Sequence, residues 1–232
     1  MAAGRAEIGF AYDDGRTRLA TLDQSDPLRI LFPDVSPDEP ITGALVTTSG
    51  GLVGGDSLEI AVRGARHTAS RILGQAAEKV YRSTGADVTI EVRLDASEGA
   101  WLEWLPQETI LFEHARMRRA TLAEVGVGAR LLAGEMIVFG RTAMGETMTG
   151  GLVRDAWEIR REGRLIRSDA LHLDDDLDGA LQAAAGFGGA CAYGSLVYVA
   201  DDAETRIDLA RELLAAGDPD PNLFHAATCV GD

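Results

Sequence analysis

Cysteine, lysine and aromatic residues are all scarce in this 232-residue chain, and each scarcity narrows what it can be. Two cysteines, Cys191 and Cys229, are too few for a disulfide framework and too far apart for a Cys-x-x-Cys site, so each is expected to be a small buried hydrophobe, with a loose metal ligand as the alternative. Lys79 is the only lysine among 22 basic residues. In so arginine-biased a chain it marks a spot where a compact, flexible ammonium suits better than a planar fork. Acid outweighs base, and the net charge of −15 argues against a nucleic-acid partner, whose phosphates would be repelled. No apolar run approaches about 18 residues, so no membrane span is expected. Met1–Arg5 lacks the apolar segment of a secretory signal, which makes the cytoplasm the expected compartment.

Several motifs are missing as well. His67, His114, His172 and His225 are scattered without HxH or HExxH spacing, so no preformed zinc site is expected. There is no G-x-S-x-G elbow. The glycine cluster Ser49–Asp56 lacks the Gly-Lys-Ser/Thr ending of a phosphate loop, and its paired glycines suit positive φ angles and close backbone packing instead. Asp174-Asp175-Asp176 lacks the glycine and closing glutamate of a calcium loop and reads as a solvated turn or helix start.

What is present is a strand rhythm. A composition of 46% hydrophobic and 25% charged residues belongs to a folded chain. Ile8–Phe10 and Thr17–Leu22 flank Asp13-Asp14-Gly15 as an opening hairpin, and Leu28–Phe32 is a third strand. Pro33–Pro40 is a loop, followed by strands at Ala44–Thr48 and Leu58–Val62. Val88–Leu94, Met117–Val125, Ala129–Leu132 and Met136–Phe139 continue the pattern, and Gly140–Glu146 closes it as a polar turn. Trp157–Arg161 and Leu165–Ser168 form a second hairpin across Glu162-Gly163. Leu177–Ala185 reads as a short helix, Leu196–Val199 as a strand, and Ala203–Ala216 as the best helix, capped by Asp202 and ended by Gly217 and Pro219. His67–Ser83 is ambiguous between helix and strand. As a strand it puts Gln75, Ala77, Lys79 and Tyr81 on one face and Glu78, Val80 and Arg82 on the other. A surface ion pair is the plain alternative for Glu78 and Arg82.

The most informative stretch is Ala100–Phe112. Its aromatic and aliphatic side chains suit a buried sheet, and Pro106 interrupts them by removing a backbone donor. Gln107 and Glu108 follow the break before Thr109–Phe112 resumes the apolar run. A carboxylate between two apolar strands needs solvent, a partner or a role, because desolvating it alone is costly. An echo runs through the region. Gly64-Ala65, Gly99-Ala100 and Gly128-Ala129 each open an apolar strand, and each is followed by a polar residue such as Gln75, Glu108 or Glu135. Strand units at roughly 30-residue spacing point to layers stacked along an axis, as in a β-solenoid. On such a scaffold Glu108, Glu135 and Glu146 are the acids a carbohydrate-active enzyme would use.

Four phrases together carry a specific resemblance: Gly50–Asp56, Gln75–Ser83, Glu103–Ile110 and Gly140–Glu146. In that order they resemble the UreD (UreH) family of urease accessory proteins, across nearly the whole chain. The resemblance implies one UreD-like domain over residues 1–232, mainly β, a solenoid-like stack with about two short α-helices toward the C-terminus. It implies a non-enzymatic scaffold that binds urease apoprotein and UreF, which brings UreG, and helps deliver nickel. No cofactor is expected to be tightly bound and no catalytic residue is expected; Ni²⁺ would be held only transiently, along an internal route. The motif acids Asp56, Glu78, Glu108 and Glu146 are the candidates for lining it, because oxygen ligands release such an ion more readily than a closed His/Cys cage. Lys79, Tyr81, Arg82, Gln107 and Arg141 are the candidate partner-binding or structural residues of the same motifs. The family usually continues past the helix, so the segment that meets UreF is expected to be shortened here.

Overall fold

The computed structural model describes residues 1–217 and 223–230. Its chain coils through two facing sheets. Strand β1 (Ala3–Asp13) and β2 (Arg16–Ser25) form the opening hairpin, and β3 (Leu28–Leu31) and β4 (Ile41–Thr47) start the second sheet. Then β5 (Ser57–Gly64) lies in the first sheet, while β6 (Ala69–Gly74) and β7 (Glu78–Val80) lie in the second. The next turn repeats this with β8 (Val88–Ala96), β9 (Trp101–Leu105) and β10 (Thr109–Leu111), and the one after with β11 (Arg116–Val125) and β12 (Arg130–Phe139). A hairpin of β13 (Leu152–Arg161) and β14 (Arg164–Asp174) follows, then helix α1 (Leu177–Gln182), β15 (Ala192–Val199) and helix α2 (Ala203–Ala215).

Neighbouring turns pair in parallel: β1 with β5, β5 with β8, β8 with β11 and β11 with β13 in one sheet, and β4, β6, β9 and β12 in the other. Antiparallel strands finish the stacks, with β2 on β1, β14 on β13, β3 on β4 and β15 on β12. The architecture is a β-solenoid of about four turns. The expected mainly β stack is therefore present. The two α-helices among the described residues differ in length, six residues in α1 and thirteen in α2, so only the first is short.

The coil forms because each strand alternates. In β8, Val88, Ile90, Val92 and Leu94 are buried while Thr89, Arg93 and Asp95 are exposed, and β5 and β11 repeat the pattern. Leu102, Trp104, Leu131, Ala133 and Ile137 meet them from the second sheet. Each such large side chain contributes about 1.5–3 kcal/mol by burial.

Identical corners join the sheets. The N–H groups of Thr68, Ala100 and Ala129 donate to the carbonyls of Ala65, Ser97 and Gly126 at 3.2, 2.9 and 3.1 Å. The residue before each donor is left-handed: His67 at φ 62°, Gly99 at 65° and Gly128 at 61°. The sequence echo that aligned Gly64-Ala65 with Gly99-Ala100 is thus out of frame, since the true counterpart of Gly99 is His67. Histidine tolerates this conformation better than most residues, and so hides the glycine signal.

Other differences have physical causes. The expected separate strands Ala129–Leu132 and Met136–Phe139 are one strand, because β12 pairs β9 with its first half and β10 with its second. Cys191 and Cys229 are exposed, not buried, since they lie in the segments flanking β15 and after α2, outside the sheet interior. Asp202 stands at the start of α2 but its carboxylate does not cap the helix. It accepts instead from the Tyr198 hydroxyl at 2.8 Å and Arg206 Nε at 3.0 Å. Pro219, expected to help end α2, lies outside the described residues.

Candidate functional site: a cavity at the break in the second sheet

Two turns of the second sheet are interrupted at the same height. Gln75–Ala77 separates β6 from β7, and Pro106–Glu108 separates β9 from β10. Thr109 pairs with Glu78 and Leu73 with Leu105, so the breaks lie side by side. Pro106 explains one break, since it offers no N–H to a ladder. Gly74 allows the two to stack, because a Cβ there would meet Gln107 N at 2.5 Å. The gap opens into a cavity of about 160 Å³ between the sheets. Its mouth includes Gly50, Gly51, Glu78, Lys79 and Gln107, and its floor includes Trp104, Arg119 and Glu135.

The floor is a buried charge cluster. Arg119 holds Asp155 through two bonds, Nε at 2.9 Å and a terminal nitrogen at 2.8 Å, and its other terminal nitrogen pairs with Glu135 at 2.6 Å. Trp104 Nε1 donates to Glu135 at 2.9 Å, and Arg119 donates to the Thr109 hydroxyl at 3.2 Å. Arg119, Glu135 and Asp155 are 3%, 6% and 3% exposed. One guanidinium thus serves two carboxylates away from water. Burial pushes the Glu135 carboxyl above its usual range; Arg119 and Trp104 oppose this, and the Asp155 charge adds to it. Burial works against the charge of Arg119, yet Glu135 and Asp155 hold its proton more firmly than usual.

The sequence pattern contained a signal for this cluster. Arg119 shares the inward phase of Met117, Ala123 and Val125, Asp155 that of Val153 and Ile159, and Glu135 that of Leu131 and Ile137. A charge on the core phase of a strand is the residue to single out. The echo and the strand-borne acids both point to Glu135, whereas no motif points to Arg119 or Asp155.

Of the four motif acids, Glu78 lines the mouth. Its carboxylate accepts from the Thr47 hydroxyl at 2.5 Å and from Lys79 N at 3.0 Å, and burial raises its pKa. No ion pair joins it to Arg82, whose backbone bridges to Ala115. Glu108 lies in the neighbouring break and meets Glu78 through its backbone carbonyl, which accepts from Glu78 N at 2.9 Å. Asp56 is 5% exposed and accepts from the backbone N–H of Ala2 at 2.6 Å and of Val53 at 2.9 Å, so it pins the glycine loop to the chain start. Glu146 pairs with Arg141 Nε at 2.7 Å, which lowers its pKa.

Of the other motif residues, Lys79 and Gln107 line the mouth, while Tyr81 and Arg141 pack behind the glycine loop. Tyr81 donates its hydroxyl to Gly50 O at 2.9 Å and packs edge-on against Phe112. Arg141 stacks over the same Phe112 ring at 4.1 Å. Gly51, at φ 140°, is required here, because a Cβ would meet Tyr81 at 2.5 Å. Lys79 is exposed at the mouth beside Gln107. Among the described residues no three His, Cys, Asp or Glu side chains gather as a ready metal site. Two of the three acids expected for glycan chemistry are engaged elsewhere, Glu135 by Arg119 and Trp104 and Glu146 by Arg141. Among the same residues no helix is long and apolar enough to cross a membrane.

Fold and site define a class: a β-solenoid whose interior carries a charged cluster reached through an interruption in one sheet. Comparison with known proteins narrows it. A family model described as UreD urease accessory protein matches residues 2–232, and the chain belongs to that family. It is 47% identical over 228 residues to "Urease accessory protein UreD" of Magnetococcus marinus, covering 98% of this chain and 79% of that one. It is 43% identical over 211 residues to "Urease accessory protein UreD 2" of Methylorubrum populi, covering 91% and 71%. The Mesorhizobium japonicum protein of the same name, without a number, is 40% identical over 213 residues, covering 92% and 76%.

Proposed function

We propose that this chain is a non-catalytic, cytoplasmic scaffold of urease maturation that binds urease apoprotein and UreF, is joined by UreG through UreF, and lets Ni²⁺ pass through its interior. Membership of the family supports the accessory role. The observation that carries the interior passage is the cavity that leads from the exposed mouth at Lys79 to the buried carboxylate of Glu135. A cation suits that interior better than an anion, because two carboxylates share one guanidinium there.

Of the candidates Asp56, Glu78, Glu108 and Glu146, Glu78 is the strongest for meeting the ion. Its carboxylate is at the mouth with only neutral donors on it, whereas Glu146 is paired with Arg141 and Asp56 is held by backbone N–H groups. Carboxylate and water oxygens bind Ni²⁺ loosely enough to release it.

The test is coexpression of the tagged full chain with urease subunits, UreF and UreG, reading both recovered partners and nickel per urease active site. Recovery of urease and UreF is expected, with nickel content reduced by Glu78→Gln and by Glu108→Ala in folded protein. Nickel content equal to that of the unsubstituted chain in both variants would remove the two acids from the path. If the unsubstituted chain itself adds no nickel to urease, the delivery reading falls.

A further inference from the structure

A second, much smaller cavity lies on the far side of the charge cluster, between β13, β14 and β15. Its volume is about 10 Å³, the room needed for one water molecule. Its walls include Asp155, Trp157, Arg167, Asp169, Tyr193 and Ser195. Asp155, on one side, is the buried partner of Arg119. Asp169, on the other, has a side chain more than half exposed, so the cavity spans from the cluster to the surface. Ser195 sits across from Glu135 in the pairing of β12 with β15. The large cavity therefore ends on Arg119 and Glu135, and the small one begins at Asp155.

Two polar atoms make this more than a packing gap. Trp157 is 5% exposed and its Nε1 has no hydrogen-bond partner within the protein, and the buried Nε of Arg167 has none either. Both residues line the same 10 Å³. They are two of four such side-chain atoms among the described residues, and a buried donor left without an acceptor is costly. Both are donors, so what satisfies them is an acceptor oxygen. The volume has room for one water, and Asp155 and Asp169 in its walls offer carboxylate oxygens to such a molecule's hydrogens.

We propose that this cavity is a single-water site that forms the closed second mouth of the interior, with Trp157 and Arg167 as its gate. The gating half rests on the reading that a cation crosses the interior; the water site does not. One water is too small a volume for a cation carrying its own water shell, in which each molecule takes about 30 Å³. Passage toward β14 and β15 thus requires Trp157 or Arg167 to move. Arg167 is the mobile candidate: a terminal nitrogen pairs with Asp169 at 2.9 Å at a site where both side chains reach solvent. Trp157 is the fixed wall.

The water is tested first, without nickel. In the full chain labelled at the tryptophan indoles, the Trp157 N–H should show a cross-peak to a long-lived water, and that cross-peak should be lost in Arg167→Met, which keeps the stem and removes the second donor. A Trp157 indole with no water cross-peak, or one unaltered by Arg167→Met, overturns the site. The gate is tested by the initial rate of nickel transfer to urease. Trp157→Phe and Arg167→Met should raise it a few-fold by widening the mouth, and Arg167→Met serves alone if Trp157→Phe does not fold. Unaltered rates in a variant that has lost the water overturn the gate while leaving delivery itself intact. No transfer by the unsubstituted chain overturns gate and delivery together, with the water site standing on its own measurement.

Discussion

The three residues Arg119, Glu135 and Asp155 occupy core positions that aliphatic side chains fill elsewhere in the same strands. A buried cluster of this kind is weak evidence for stability, because desolvation offsets most of the attraction. Breaking it is another matter. Arg119→Met leaves two carboxylates facing each other without a cation and is expected to cost about 3–5 kcal/mol, read as a lowered urea midpoint. Glu135→Gln should be far milder and should alter the pH dependence. Because burial holds the Glu135 pKa above its unfolded value, the folded state keeps a proton that the unfolded chain gives up between the two. Raising pH through that window therefore erodes stability, and Glu135→Gln should remove that part of the slope. The opposite sign holds for Glu146, whose pKa is lowered by Arg141: its contribution is present above the unfolded value and is lost as pH falls. A stability–pH curve in which Glu135→Gln matches the unsubstituted chain would contradict the assignment.

At the level of elements, the glycine loop and the two sheet breaks act together as the rim of the cavity. Gly51→Ala must displace the Tyr81 ring or the loop, on top of a φ that disfavours a side chain, for an expected loss of about 1–3 kcal/mol. A thermal melt of that variant measures it, with a changed environment for Tyr81 as the local sign. The sequence made strands legible wherever apolar and polar residues alternated, as in Val88–Leu94 and Met117–Val125, and the Glu162-Gly163 hairpin was equally plain. It left His67–Ser83 ambiguous because Gln75-Ala76-Ala77 has helix formers in the segment that bridges β6 and β7. The break after Leu105 was legible, because Pro106 offers no backbone donor. The continuity of β12 was not: nothing local tells that Gly134-Glu135 runs straight through, since the neighbours in the sheet decide it. Parts of the site that depend on tertiary convergence, above all Arg119 meeting Asp155 across two strands, were legible only as charges on the wrong phase.

Across the whole molecule, protection from solvent is graded. The middle strands β5, β8 and β11 are each paired on both sides and buried on one face. By contrast β2 is exposed along almost its whole length and α2 has no buried residue. Backbone hydrogen exchange should follow that order, slowest in β8 and fastest in α2 and β2. Uniform protection across all three would show that the coil opens only as one unit.

The reversed strands at the ends bear on growth. A coil of parallel turns has no intrinsic length, for each bare turn is a template for another. Here Glu162-Gly163 turns β13 straight back along itself where Gly126–Ala129 had carried the chain across to the second sheet. That two-residue reversal works as a stop codon written in backbone geometry. It ends the run of crossovers at a fixed count, so a protein built on a repeating principle has a coil of defined length.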